Sequence, residues 1–265
     1  MKIISNKNKR LRNLKRIRTV IIIFILCFLY IIAFTTTDFS YKGSSLGFFA
    51  MFKRLFIDSV MNPEIVRDIP LYVGYMFETI AIAYAGSIIG AILALPIGFL
   101  AARNMAKKFA YIGKAISNAI RSIPELIFAI IFVAAVGIGP YAGVLAISIN
   151  SIGMLSKLYS EAVEAIDLSV LEALKSSGAG RIQTIWYGVI PQVIPEFLSY
   201  AIYRFEIDVR ASTVLGIVGA GGIGAPIILA ANSRSWEAVG MMIIVIIVFV
   251  TIIDYMSTAI RRRIV

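Results

Sequence analysis

The chain alternates between long runs without a charged side chain and short clusters of Lys, Arg, Asp and Glu. Residues 20–37 form the first such run, directly after a basic tail at 1–19 that holds no acid. Residues 79–102 form the second, 24 residues without a charge, closed by Arg103, Lys107 and Lys108. A bilayer core of about 30 Å takes roughly 20 apolar residues as a helix, so each run predicts one membrane-spanning helix. Residues 126–156 are 31 residues without a charge, broken by Gly137-Ile138-Gly139-Pro140. At about 1.5 Å per residue that run is too long for one crossing and short for two. Beyond a polar interval at 157–187, one apolar segment starts near Ile190 with charges at its centre. A last one covers 238–260, interrupted only by Asp254.

Loop charge decides the middle run, because cytoplasmic loops carry the excess of Lys and Arg. A single crossing would put the segment from Lys157 and the closing Arg261-Arg262-Arg263 outside. A hairpin turning at the Gly-Pro break puts every basic cluster inside. The expectation is an all-α integral membrane protein of about six transmembrane helices, with both termini cytoplasmic and an external stretch at 38–70. A signal peptide is the competing reading of 20–37. That run is longer than such a peptide's apolar core, and no small-residue cleavage site follows it. No internal repeat suggests an inverted-repeat secondary transporter.

Composition agrees with a membrane protein. Hydrophobic residues make up 59% and charged residues 15%, with a mean hydropathy of +0.87, against roughly 25% charged in soluble domains. A water-soluble enzyme or an RNA-binding module is excluded. The net charge of +11 then belongs to cytoplasmic loops and asks for no nucleic acid. Histidine is absent and the one cysteine, Cys27, sits in an apolar run, so neither a disulfide framework nor a Cys/His metal site is expected.

Three constellations carry candidate chemistry. In the polar interval a short helix opens at Asp167 or Ser169 as N-cap, with Leu171 and Glu172 in its first turn. Gly178 follows six residues after Glu172 and lets the backbone turn tightly or approach a partner closely. Such a helix fits a groove on another protein; taken alone, the pattern reads first as a solvated loop helix between two spans. In the segment after Ile190, each of Arg204, Glu206, Asp208 and Arg210 costs about 2.5–3.5 kcal/mol at mid-bilayer. Arg204 with Asp208 and Glu206 with Arg210 are i,i+4 pairs. They either brace packing or line a path for an anion, to which Ser212 and Thr213 would add hydroxyls. Glu196 and Asp254 read as snorkelling or packing charges. Finally, Gly219, Gly221, Gly222 and Gly224 satisfy a G-x-G-x-x-G search but end a membrane helix instead of joining a strand to a helix, so no dinucleotide cradle forms. They read as a break, a candidate gate or hinge. No G-x-x-x-x-G-K-[ST] occurs, since Gly113-Lys114 lacks the upstream Gly and the hydroxyl. No paired carboxylate with a nucleophile points to an intramembrane enzyme.

Glu172-Ala173-Leu174, Gly178 and Ile190-Pro191 together resemble the EAA loop of ABC importer permeases. Residues 94–104 (ALPIGFLAARN), 121–125 (RSIPE), 199–216 (SYAIYRFEIDVRASTVLG) and 219–224 (GAGGIG) resemble the permease subunit of phosphonate-type ABC importers, from about Tyr72 to the C-terminus. Two positions depart: Leu174 replaces the third Ala, and Gly188 stands where that family usually has Ile ahead of its Leu-Pro pair. The resemblance implies a five-helix permease core over 71–265, one added N-terminal helix, and a coupling loop at about 160–191 that uses Glu172, Ala173, Gly178 and Pro191. It implies a permease homodimer in the bacterial inner membrane with two cytoplasmic ATPase subunits, which bind ATP and Mg, and an external phosphonate-binding protein. No cofactor and no catalytic residue are expected in this chain. The expected function is translocation of phosphonate, or of phosphite or phosphate, by alternating access. The alternative is a stand-alone secondary transporter or channel for a small anion, in which the loop helix would be incidental.

Overall fold

The computed structural model describes residues 2–36 and 47–264; residues 37–46, which hold the end of the first apolar run and the start of the expected external stretch, lie outside the described residues with Met1 and Val265. Every regular element described is helical. The chain divides into two compact units, 1–47 and 48–265. The first holds α1 (Lys2–Thr36), whose residues 17–36 are apolar in the main and exposed on every side. A helix that is apolar all round belongs in lipid or in a core. Cys27 is exposed on it.

The second unit opens with α2 (Phe48–Lys53), a π turn at Arg54–Asp58, α3 (Ser59–Met61) and α4 (Pro63–Arg67). Asn62 caps α4 by accepting from the Glu64 amide at 3.1 Å, and Pro63 sits in the first turn, where its missing N–H costs nothing. The π turn and α3 lie against Gly240 near the start of α14 (Trp236–Ile264). Residues 54–67 therefore pack on the bundle, with Ile65 against its core.

The long helices α5 (Ile69–Ala101) and α9 (Pro140–Glu164) form the centre. Gly86, Gly90, Ala94 and Gly98 recur every fourth residue on α5, and the three glycines face Ile147, Ser151 and Tyr159. A Cβ on Gly90 would come within 2.5 Å of the Ser151 Cβ. Lipid offers helices no hydrophobic drive to associate, so close backbone approach at small residues supplies the contact.

The middle run turns where the sequence predicts. Then α8 (Glu125–Val136) ends at Gly137, with φ +91, and α9 begins at Pro140. Its descending arm differs from expectation. With 12 residues, α8 reaches only about 18 Å, too short to cross. The remainder comes from α7 (Ala110–Arg121), joined to α8 by an 80° bend. Ser117 meets Ser156 at 2.7 Å and Ile120 packs on Gly153, so α7 runs antiparallel to the second half of α9. Pro124 explains the bend, because the residue before a proline is pushed out of the helical region. Together the bent pair, which carries Lys114, Arg121 and Glu125, is long and apolar enough to form one broken span.

Among the described residues, four helices are long and apolar enough to cross a membrane, five with the broken pair counted as one span. The charged α12 (Ile190–Leu215) fails that criterion, yet runs antiparallel to α5. Phe197 meets Phe99 edge-on, Asp208 meets Ser87, and Ser212 meets Thr79. It therefore lies at the depth of α5. The turn after α12 and α13 (Gly224–Asn232) close one end of the bundle; α10 (Leu168–Ser176), α11 (Arg181–Thr184) and α6 (Arg103–Ala106) close the other.

Candidate functional site

Close to the midpoints of α5 and α9 lies a buried polar centre. The Arg204 guanidinium is 2.7 Å from Asp208 Oδ1 and 3.5 Å from Glu125 Oε2, and its Nε donates to the Ser151 hydroxyl at 2.9 Å. The aligned hydrogen bonds of Asp208 go to its other oxygen, Oδ2, from Ser87 at 2.7 Å and Ser151 at 2.8 Å. Asn150 donates to Glu125 at 2.6 Å. Asp208 is 0% and Arg204 4% exposed. One cation thus sits between two carboxylates, and the serines supply the donors that such a desolvated group needs. The i,i+4 pair is present, and Glu125, Ser87, Ser151 and Asn150 are the partners that spacing alone did not reveal.

A second cluster faces α14. Glu206 accepts from Arg210 through one oxygen and from Arg261 at 3.0 Å through the other. Asp254, expected to snorkel or pack, lies 3.6 Å from Arg210. The Arg261 guanidinium also lies over the Tyr203 ring, 5.4 Å from its centroid, within the range of a cation–π contact. The Arg210 side chain keeps half its surface exposed, and no other member of the 204–210 quartet does so. Ser212 is buried and donates to the Thr79 carbonyl at 3.2 Å, while Thr213 donates to the Arg210 carbonyl at 2.7 Å. In this conformation both hydroxyl protons go to backbone carbonyls.

The glycine stretch is a turn pinned from two sides. Gly219, Gly221 and Gly222 have φ of +90, +83 and +74, which a side chain would resist. The Gly139 amide donates to the Gly219 carbonyl at 2.9 Å, so the two helix breaks meet. The Gly222 amide donates to Glu78 at 3.1 Å and the Ile223 amide to the Thr79 hydroxyl at 2.9 Å. Gly224 opens α13 against the backbone of α12 at Thr213.

At the opposite end α10 projects between α9 and α12. Asp167 is its N-cap, accepting from the Ser169 amide at 2.8 Å. Hydrogen bonds from Ser169 hold the Asp167 carboxyl below the usual carboxylate range. Glu172 falls past the first turn, not within it, and is exposed with Ala173. The helix closes at Gly178, φ +86, with the Ala179 amide returning to the Leu174 carbonyl at 3.0 Å. A Cβ on Gly178 would meet nothing within 4 Å. Beneath it Leu171 is buried with Val189 and Val193. A π turn at Ile185–Val189 leads into α12, where Pro191 occupies the first turn. Exposed Leu168, Ile182, Trp186 and Tyr187 surround this end. Of the expected loop residues, Glu172, Ala173 and Gly178 share one projection, and Pro191 belongs to the helix that it rests on.

These features define a multi-pass helical membrane protein with a capped helix held between two spans at one end. Residues 94–265 match the family of binding-protein-dependent transport system inner membrane components. The chain is 42% identical over 190 residues to the phosphite transport system permease protein PtxC of Stutzerimonas stutzeri, covering 71% of this chain and 69% of that one. It is also 42% identical over 190 residues to the phosphate-import permease protein PhnE of Mycolicibacterium smegmatis, of which it spans 36%. Its fold is similar to that of the MetNI methionine ABC transporter in inward-facing conformations, with a TM-score of 0.63 at 22% identity, covering 75% of this chain and 98% of that one. The chain belongs to the binding-protein-dependent inner membrane component family, as its resemblance to ABC importer permeases implied. A stand-alone transporter or channel is set aside.

Proposed function

We propose that the protein is the permease of an ATP-driven importer carrying phosphonate, or a related phosphorus oxyanion such as phosphite or phosphate, into the cytoplasm by alternating access. Two copies form the pore, two ATPase subunits bind and hydrolyse ATP on the cytoplasmic side, and an external binding protein delivers the anion. Both termini are cytoplasmic. The relatives named for phosphite and phosphate transport support this substrate class.

The observation that carries the reading is α10 itself. It is capped at both ends and rooted by Leu171, and its far side is open at Gly178 and apolar around Ile182 and Trp186. A partner closing against it would push on α9 and α12 together. Arg204, enclosed by Glu125 and Asp208, serves helix packing in this reading, and Arg210 is the cation within reach of an anion. Cross-linking tests the contact: a cysteine replacing Ser177 should join the ATPase subunit when the two are co-expressed, and one replacing Ser233 should not.

A further inference from the structure

One rim of the bundle is strongly basic. Residues 79–124 contain no Asp or Glu but include Arg103, Lys107, Lys108, Lys114 and Arg121. The fold gathers four of these around one recess of about 670 Å³, lined also by Tyr111 and Asn118. The carboxylate at its edge, Glu164, takes the Lys114 ammonium at 2.8 Å and the Arg103 backbone amide at 2.8 Å. It offsets one charge. Among the described residues, Arg103, Lys107 and Lys108 form no ion pair; Glu164 lies in the field of Arg103 as well as of Lys114, so the recess keeps an excess of cations over its one carboxylate.

The surroundings are apolar and aromatic. Phe109, Tyr111, Ile112 and Ile116 are exposed on and beside amphipathic α7, and Tyr111 is 84% exposed. Aromatic rings beside Lys and Arg at the end of apolar spans are the pattern of the headgroup layer. The link that carries the cations is held in place: Asn104 donates to the Val163 carbonyl at 2.6 Å, and Lys107 keeps a φ of +50.

We infer that this recess binds the headgroup of an anionic phospholipid of the cytoplasmic leaflet. The phosphodiester meets Arg103, Lys107 and Lys108, and the acyl chains run along Ile112 and Ile116. Charge complementarity selects an anionic headgroup. The apolar flank selects a lipid over a soluble phosphate, which has no use for exposed isoleucines. Because the 103–109 link is tied to the end of α9 from which α10 follows, the lipid braces the rim next to the loop proposed to meet the ATPase.

The test uses the full chain with its ATPase in nanodiscs, probed with phosphatidylglycerol against phosphatidylcholine by native mass spectrometry. One basic side chain near an anionic surface is worth roughly fivefold in affinity. The triple variant Arg103→Gln, Lys107→Gln, Lys108→Gln should therefore bind phosphatidylglycerol about a hundredfold more weakly, with phosphatidylcholine unchanged. The charge-keeping variant Arg103→Lys, Lys107→Arg, Lys108→Arg should retain it, separating charge from folding. Equal phosphatidylglycerol retention in the glutamine variant would overturn the inference. So would displacement of the lipid by inorganic phosphate, which would make the recess a soluble-anion site. Loss of the ATPase with unchanged lipid binding would also overturn it, by assigning the cations to the subunit contact.

Discussion

Leu174 occupies the space that a side chain at Gly188 would need: a Cβ there would lie 2.9 Å from Leu174 Cδ1. The two departures from the EAA pattern therefore face each other, one position larger and its neighbour smaller, and the packed volume under α10 is kept. Gly188→Ile alone should overpack this contact and cost about 1–3 kcal/mol. Leu174→Ala alone should leave a void costing about 2 kcal/mol, the low end for a leucine that is only half-buried. The double variant should recover most of both losses. A double-mutant cycle on thermal unfolding in detergent measures the coupling, and strictly additive effects would show that the two positions are independent.

The polar centre should behave as a triad, not as a pair. Arg204→Met leaves Asp208 and Glu125 buried without their cation and should cost about 3–5 kcal/mol, read as lost monodisperse protein in size-exclusion chromatography. Adding Asp208→Asn should recover only part, because Glu125 still faces the gap at 3.5 Å. Adding Glu125→Gln as well should recover most of the yield. Full rescue by the first double variant would remove Glu125 from the centre.

Gly178 separates backbone strain from side-chain clash. No neighbour lies within 4 Å of its Cβ position, so a substitution acts through the positive φ, about 1–2 kcal/mol for an ordinary L-residue. Gly178→Val should leave protein in the membrane but lose most ATPase association in a pull-down. Gly178→Asn, which tolerates that conformation, should keep most of it. Equal binding by both variants would make the end of α10 irrelevant to the partner.

The crossings α1, α5, α9 and α14 were legible because charge-free runs of sufficient length have few alternatives in a chain this apolar. The turn before Pro140 was legible for its glycines. The arm before that turn was legible only as α8; the part of α7 was not, because Lys114, Arg121 and Glu125 interrupt the apolar run and assign α7 to a loop. At the candidate site, i,i+4 spacing disclosed Arg204 with Asp208, but Ser87, Ser151 and Glu125 come from other helices and carry no local signal. The glycine row at 86, 90 and 98 did carry one, a small residue every fourth position in an apolar run, which marks a helix-packing face.

Orientation is read most simply by thiol labelling. Ser233 lies in the turn before α14, and Ser177 lies at the end of α10 on the opposite end of the bundle. A cysteine at 233 should react with an impermeant reagent in intact cells, and one at 177 only after permeabilisation, in a Cys27→Ser background. The reverse pattern would invert the topology and place α10 away from any cytoplasmic partner.

Transport in a defined system decides the central claim. The permease is reconstituted in proteoliposomes with its ATPase and binding protein, and uptake of labelled phosphonate, phosphite and phosphate is followed. The expected result is uptake of at least one of these anions that requires ATP, the ATPase and the binding protein together, and that falls to background with Gly178→Val. Uptake by the permease alone, driven by an ion gradient and indifferent to ATP, would contradict it.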